Sequence, residues 1–181
     1  MARLPALIFD ELTAEQKRLW QEIGAVRNGS PGGPFQVWMN HPKIAERAHY
    51  FGNALRVEGK LEKRLFELAV LAVARHWSAQ YVFTTHTRYA REAGIAPAVI
   101  DAIRTRRTPD LGKEDERVVY DTVCELLQSK RLSEGSYKRA LDMLGRDKLI
   151  ELVATIGFYV TASATVNAFD MAPRNEEERL V

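Results

Sequence analysis

The sequence is poor in cysteine, and this shortage excludes a disulfide framework. Its single cysteine, Cys124, cannot form an internal disulfide bond. The surrounding pattern is helical, with Val123 and Leu126 close by, so we expect a small, buried side chain in a protein of a reducing compartment.

The sequence also lacks a large excess of positive or negative charge. The chain has 26 basic and 24 acidic residues, a net charge of +2, and the two signs are interspersed. A nucleic-acid-binding protein or a protein of anionic membrane surfaces typically carries a basic patch, which this sequence lacks. We therefore expect neither nucleic acid nor membrane as a partner.

Cofactor motifs are missing as well. The four histidines have no HExxH or similar spacing, so no metal site is expected. The segment 28–34, NGSPGGP, must be a loop, but it has neither the GxGxxG nor the GxxxxGK[ST] spacing of a phosphate cradle and follows no strand. The sequence predicts a protein without a bound cofactor.

Long apolar runs are few. The start, MARLPALIFDELT, has too short an apolar stretch for a secretory signal, and acids arrive at Asp10 and Glu11, which predicts a cytoplasmic protein. Residues 152–169 carry no charge, but several polar side chains make them too polar for an isolated lipid-exposed helix. We expect a buried central helix there.

What the sequence does contain is one helical pattern after another. Thr13 and Gln16 form a plausible capping box, Pro42 and Pro97 suit first-turn positions, and Gly94 and Gly145 suit helix ends. No strand alternation or solenoid repeat is visible. We predict an all-α protein of about seven or eight helices and a single domain over 1–181, with a mobile tail from about residue 174. The predicted helices span about 13–25, 42–57, 61–77, 79–93, 97–105, 113–128, 133–144 and 146–169.

The most informative residue is Glu67, the one ionisable side chain in the apolar run LFELAVLAVA at 65–74. A carboxylate buried without a partner is expensive, so such a group either takes up a proton or finds a hydrogen-bonding neighbour. The sequence therefore predicts a partner for Glu67.

His86 is the candidate partner. If 61–77 and 79–93 are helices joined near Ser78, Glu67 lies about 16 Å before the turn and His86 about 12 Å after it, nearly level in an antiparallel hairpin. His86 also shares the apolar face of its helix. That face comprises Ala79, Val82, Phe83, Ala90 and Ala93, whereas Thr87, Arg88, Arg91 and Glu92 are expected to point outward.

Two structural alternatives need no function. Lys63 and Arg64 precede Glu67 by four and three residues, so either could form a local helical ion pair with it, although a base before the acid is the weaker orientation. His86 could equally be a hydrogen-bonded core histidine without a chemical role.

The stretch at 66–94, FELAVLAVARHWSAQYVFTTHTRYAREAG, resembles the signature of the carboxymuconolactone decarboxylase and AhpD-like superfamily. The similarity lies in Glu67, then ARHW, then Gln80 and Tyr81, then His86. Residues 40–56 resemble the upstream helix of that superfamily and residues 157–173 its closing helix. The ordered combination covers roughly 33–173.

This resemblance implies an AhpD-like helical fold, assembly into homotrimers or hexamers, pockets near subunit contacts and one of two chemistries. In the redox branch a Cys-x-x-Cys pair stands between the glutamate and the histidine. The matching positions here are Ala79 and Val82, so no dithiol can form and thiol peroxidase activity is not expected.

The decarboxylase branch needs no cysteine. In it, His86 would deliver a proton, Glu67 would orient the imidazole and stabilise its cation, and Tyr81 would add a polar group. Many relatives carry a second glutamate where this chain has Val82, so the reaction or the substrate is expected to differ. The predicted substrate contacts are Arg75, Arg47, Trp77, Val82, Tyr159 and Asn167, although the two arginines could also be ordinary solvated surface residues.

Three functions remain open. The favoured one is a cofactor-free lyase or isomerase that acts on a small, aromatic-derived organic acid or lactone through His86 and Glu67. The alternatives are a peroxide-handling protein that borrows a thiol from elsewhere and a non-catalytic oligomer that binds a small molecule.

Overall fold

Eight α-helices and two short 3-10 turns make up the protein in a computed structural model that describes residues 2–27, 29–173 and 175–181. No strand occurs in these residues, so the all-α prediction and the predicted number of helices are confirmed. The 3-10 turns are Phe9–Glu11 and Glu176–Glu178. The helices are α1 (Ala14–Ala25), α2 (Pro34–Trp38), α3 (Pro42–Arg56), α4 (Lys63–His76), α5 (Gln80–Glu92), α6 (Pro97–Arg104), α7 (Glu114–Ser129) and α8 (Glu134–Ala168).

The helix boundaries follow local chemistry. Thr13 and Gln16 form the predicted reciprocal capping box at α1, and the Ser133 hydroxyl accepts a hydrogen bond from the Ser136 amide at the start of α8. Gly145 has φ 74° and interrupts α8 where the sequence predicts two helices. The short helix α2 was not predicted, because its five residues are too few to show a period.

Helix α4 is the centre of the fold. Every residue from Leu65 to Ala74 is buried, and α4 packs against α5, α7 and α8. A helix that is apolar on all sides is stable only when neighbours cover each side. The central position of α4 explains why the apolar run around Glu67 shows no polar face.

Helix α8 is buried on one side only, which corrects the prediction of a buried central helix there. It is long and apolar enough to cross a membrane by length and composition, with a hydropathy of 1.6 and 44% burial over its most apolar stretch. Leu152, Ile156 and Tyr159 lie in the core, whereas Ile150 and Val153 are 61% and 42% exposed. One face of α8 therefore remains apolar and uncovered.

The last residues lie against the body of the protein. The Leu180 amide donates to Gln80 Oε1 at 2.9 Å, and Gln80 Nε2 donates back to the Leu180 carbonyl at 3.1 Å. Leu180 itself is 7% exposed. The predicted mobile tail begins at Arg174, which lies outside the described residues, and its mobility stays a prediction.

Candidate active site

Glu67 and His86 meet in the interior. Glu67 Oε2 lies 2.6 Å from His86 Nδ1, and the two residues are 5% and 8% exposed. The tight turn between α4 and α5, with Ser78 at φ 48°, brings the helices back antiparallel, as the sequence argument requires. The structure thus contains the contact that the sequence predicts.

The local ion-pair alternative is wrong for Arg64. Its guanidinium turns to α7, where it lies 2.6 Å from Asp115 Oδ2 and 2.5 Å from Glu116 Oε1. Among the described residues Lys63 forms no ion pair with Glu67 either. One detail of the α5 face was also wrong, because Thr87 is buried and its hydroxyl donates to the Phe83 carbonyl at 3.0 Å.

The contact fixes which imidazole nitrogen is available. An ionised carboxylate can only accept a hydrogen bond, so with Glu67 ionised Nδ1 carries the hydrogen and Nε2 remains for a ligand. The His86 ring packs edge-on against Tyr159, with centroids 5.0 Å apart and planes at 88°, and also contacts Tyr89. Glu67 and the two tyrosines therefore hold the imidazole in one orientation.

His86 lines a cavity of about 150 Å³. A cavity of about this size holds a molecule as large as benzene. Three other residues named from the sequence, Tyr81, Val82 and Tyr159, also line it. The remaining walls come from Arg27, Ser30, Gly32, Gly33, Pro34, Phe35, Arg56, Thr85, Tyr89, Phe158 and Ala162.

Tyr159 forms a wall that is almost closed to solvent, at 7% exposure. Burial raises the pKa of its phenol, and the nearby Glu67 carboxylate raises it further. The hydroxyl therefore remains protonated at physiological pH and can donate a hydrogen bond to a ligand, but it is a poor base.

Sequence reasoning missed the arginines of this cavity. Arg27 follows α1 and Arg56 ends α3, and both are half-buried with their side chains at the cavity wall. The sequence has many arginines, and no periodic pattern distinguishes Arg27 and Arg56 or places them near the hairpin of α4 and α5. Arg56 lies at the end of the helix that the family resemblance covers, which is the one signal that could have indicated it.

Four of the predicted substrate contacts do not reach the cavity. Arg75 donates to the carbonyls of Arg104 and Val181, each at 2.9 Å, because it lies two turns beyond Glu67 on α4. Arg47 has a side chain that is 79% exposed on α3. Trp77 directly follows α4, and its carbonyl accepts a hydrogen bond at 2.8 Å from Asn167, which lies about two turns beyond Tyr159 on α8. None of these four residues lines the His86 cavity.

The loop at 29–34 forms the cavity rim. Gly33 has φ 58°, and a Cβ atom built there would lie 2.8 Å from Tyr81 Cε1. A side chain is excluded both by this backbone conformation and by the ring beneath it. The loop that has no phosphate-binding spacing therefore serves to cover Tyr81.

A second cavity of about 470 Å³ lies on the other side of the pair and is lined by Glu67, Arg56 and Tyr89 among others. His86 does not line it, and Glu67 does not line the first cavity. The carboxylate and the imidazole thus contact different spaces.

Cys124 is remote from this arrangement. It lies half-buried in α7 and is absent from the residues that line the His86 cavity. Burial raises the pKa of its thiol, which disfavours the nucleophilic thiolate.

Comparison with known proteins finds a family match that includes the segment from Glu67 to His86. The model of the carboxymuconolactone decarboxylase family matches residues 42–121. No curated protein is significantly similar to the chain in sequence.

Three solved structures have the same fold at low sequence identity. An uncharacterised peroxidase-related protein with an alkylhydroperoxidase AhpD core, from Ralstonia eutropha, is 18% identical with a TM-score of 0.78 over 99% of this chain and 95% of that one. An uncharacterised peroxidase-related protein from Silicibacter sp. is 16% identical with a TM-score of 0.79 over 98% and 94%. A protein of unknown function from Agrobacterium tumefaciens is 15% identical with a TM-score of 0.69 over 77% and 97%.

Proposed function

We propose that the chain is a member of the carboxymuconolactone decarboxylase family, whose model matches residues 42–121. On that premise we propose that it is a cofactor-free lyase or isomerase of a small, aromatic-derived organic acid or lactone. The observation that carries the proposal is the buried Glu67 and His86 pair at 2.6 Å, with the imidazole lining a partly aromatic cavity. A positioned histidine supported by a carboxylate is a common general acid or base.

The proposed chemistry assigns each group one task. Loss of carbon dioxide breaks a carbon–carbon bond and leaves the electron pair delocalised over a conjugated acceptor as an enolate. His86, protonated at Nε2, then delivers that proton to carbon, and solvent restores it afterwards. Glu67 stabilises the imidazolium and fixes its tautomer, and the buried Tyr159 hydroxyl is available to the developing oxyanion.

Peroxide handling is the competing proposal, since two of the similar structures are called peroxidase-related. Positions 79 and 82 carry hydrocarbon side chains, and the pKa of the Cys124 thiol is raised by burial. Consumption of peroxide with a dithiol reductant, lost on Cys124→Ser, would support this alternative. A ligand that raises the melting temperature and is recovered unchanged would instead support a non-catalytic binding protein.

The first prediction concerns turnover. Purified protein should convert γ-carboxymuconolactone or a related unsaturated acid, followed by ultraviolet absorbance and released carbon dioxide. His86→Ala should lower the rate by about a hundredfold or more, because it removes the proton donor. The matched control is His76→Ala, an exposed histidine at the end of α4. If the protein converts neither γ-carboxymuconolactone nor any related unsaturated acid, or if His86→Ala retains full turnover, the proposal is refuted.

We also propose that the protein assembles as a homotrimer or hexamer and acts in the cytoplasm. An apolar groove between α3 and α8 supports assembly, with Ile44 and Phe51 of α3 50% and 46% exposed. Gly157, Phe158 and Thr161 of α8 line its other side. Phe158 lines both this groove and the His86 cavity. Exposed apolar patches of this kind are typical of protein interfaces.

The second prediction tests assembly. Light scattering after size exclusion should give a mass that is a multiple of three subunits. Phe51→Glu should shift it toward the monomer, since burial of an unpaired carboxylate in the interface is costly. Tyr137→Glu, at a similarly exposed aromatic residue elsewhere, is the control. A monomeric wild type at micromolar concentration would contradict the proposal.

A further inference from the structure

Two arginines at the His86 cavity have no anionic partner. Within the part of the chain that the structure describes, neither Arg27 nor Arg56 forms an ion pair or donates a side-chain hydrogen bond, and Arg27 Nε is buried without any partner. Of the other half-buried arginines, Arg64 pairs with Asp115 and Glu116 and Arg104 pairs with Asp101. Arg75 has no carboxylate partner either, but it donates to the carbonyls of Arg104 and Val181. Among the half-buried arginines of the described residues, Arg27 and Arg56 alone have neither a carboxylate nor a carbonyl as a side-chain partner.

Aromatic rings hold both guanidinium groups in place. Arg27 lies over the Phe35 ring at 4.3 Å and Arg56 over the Tyr89 ring at 4.8 Å. Stacking on a ring face fixes the direction of a guanidinium but leaves its N–H donors unused. Gly52 leaves space for this arrangement, because a Cβ atom there would lie 3.3 Å from Arg27 Nη2.

The positive charges of Arg27 and Arg56 also lie close enough to repel each other. Burial lowers the pKa of Arg27, and the charge of Arg56 lowers it further. A half-buried cation without a partner destabilises the folded protein, and a second cation beside it adds to that cost. An anion bound between them would remove both penalties at once.

A third unpaired donor faces the same space. Thr85 lines the cavity, and its Oγ1 is buried with no hydrogen-bonding partner in the described residues. Buried polar groups are nearly always paired, so the Thr85 hydroxyl at this wall is available to hydrogen-bond a bound molecule. Phe158 and Tyr159 add aromatic rings to the walls of this cavity.

We propose that Arg27 and Arg56 are the specificity-determining residues of the cavity and bind the carboxylate of a single-ring unsaturated acid, with the Thr85 hydroxyl as a further donor. The ring lies against Phe158 and Tyr159, within the space that His86 lines. This inference rests on the proposed function, whose substrate class it names. Arg27 and the loop at 29–34 precede residues 42–121, so part of the specificity arises outside the segment that the family model matches.

The third prediction uses acids and their neutral amides as probes. Benzoate and 2-furoate should bind the wild type in calorimetry and raise its melting temperature, whereas benzamide and 2-furamide, of nearly the same shape, should not. Arg27→Gln and Arg56→Gln should each weaken binding of the acids by about tenfold to a hundredfold, the usual effect of losing a hydrogen bond to a charged group.

Arg88→Gln is the matched control. Arg88 also lies 4.8 Å from the centre of the Tyr89 ring, but its side chain is 62% exposed and pairs with Glu92. The Arg88→Gln variant should bind benzoate and 2-furoate as tightly as the wild type does. The melting temperature of each variant without ligand shows whether it folds, and the cavity variants should be at least as stable as the wild type because an uncompensated charge is removed.

The outcomes separate this inference from the proposed function. Equal binding of acids and amides, unchanged binding in both arginine variants, or no binding of either acid to the wild type would overturn the anion site. His86→Ala should retain acid binding while it loses turnover. Acid binding that depends on the arginines, in a protein whose turnover does not depend on His86, would leave the anion site standing and refute the acid-base chemistry.

Discussion

His86→Leu is expected to lower the free energy of unfolding by about 3–5 kcal/mol, the usual effect of breaking a buried charge pair by removing one partner. Glu67, which is buried in α4, would then have no side-chain hydrogen-bond partner among the described residues. Urea denaturation monitored by circular dichroism measures the loss. His76→Leu, at an exposed histidine, should change the stability by less than about 0.5 kcal/mol.

The double variant Glu67→Leu/His86→Leu should recover most of that stability. Two leucines bury no polar group, and replacement of a buried pair by apolar side chains is often neutral or stabilising. The double-mutant cycle therefore gives a large coupling energy between the two positions. A His86→Leu variant as stable as the wild type would show that the carboxylate has another partner or is open to solvent, contrary to the observed geometry.

A pair that can be replaced without loss of stability is not explained by folding. If the double variant is stable and inactive, Glu67 and His86 are present for their chemistry, at a cost that the fold tolerates. This would also exclude the structural alternative in which His86 is a hydrogen-bonded core histidine without a chemical role.

Gly33→Ala is expected to lower the free energy of unfolding by about 2–4 kcal/mol. Its φ of 58° with ψ of −135° is a conformation that a residue with a side chain rarely adopts. The added methyl group would also meet Tyr81 Cε1 at 2.8 Å, so either the loop at 29–34 or the tyrosine must move. Since Tyr81 lines the cavity, acid binding should weaken as well.

Gly94→Ala isolates the backbone contribution. Gly94 has φ 89° at the end of α5, and nothing lies within 4 Å of a Cβ atom built there. This variant should lose only about 1 kcal/mol and bind the acids normally. Equal losses at the two glycines would show that the contact with Tyr81 contributes nothing.

The contact between Glu67 and His86 could be predicted because it depends on local rules. The rise per residue of a helix fixes how far Glu67 and His86 lie from the turn of the hairpin, and the apolar face of α5 fixes the direction in which His86 points. The same logic failed for Thr87, which is buried because α5 is covered on more sides than its polar residues indicate. Burial of a small hydroxyl is inexpensive when it donates to a carbonyl of its own helix, as Thr87 does.

The arginines show where prediction from sequence ends. Arg75 and Arg27 are the same residue type, and each lies at or near the end of a helix. Only packing among segments distant along the chain decides that Arg75 donates to carbonyls of other segments while Arg27 reaches the cavity. The anion site combines α1, α3 and α5 with a loop, and such a combination leaves no period or spacing in the sequence.

Phe158 lies at the boundary between the inner cavity and the outer groove, since its ring contributes to both. A second subunit seated in the groove would immobilise the same ring that a bound acid contacts from inside. Thermodynamic reciprocity then requires that subunit contact and acid affinity change by equal factors. Dilution of the protein to separate subunits would then lower its affinity for the acid, and saturation with the acid would strengthen the association of the subunits.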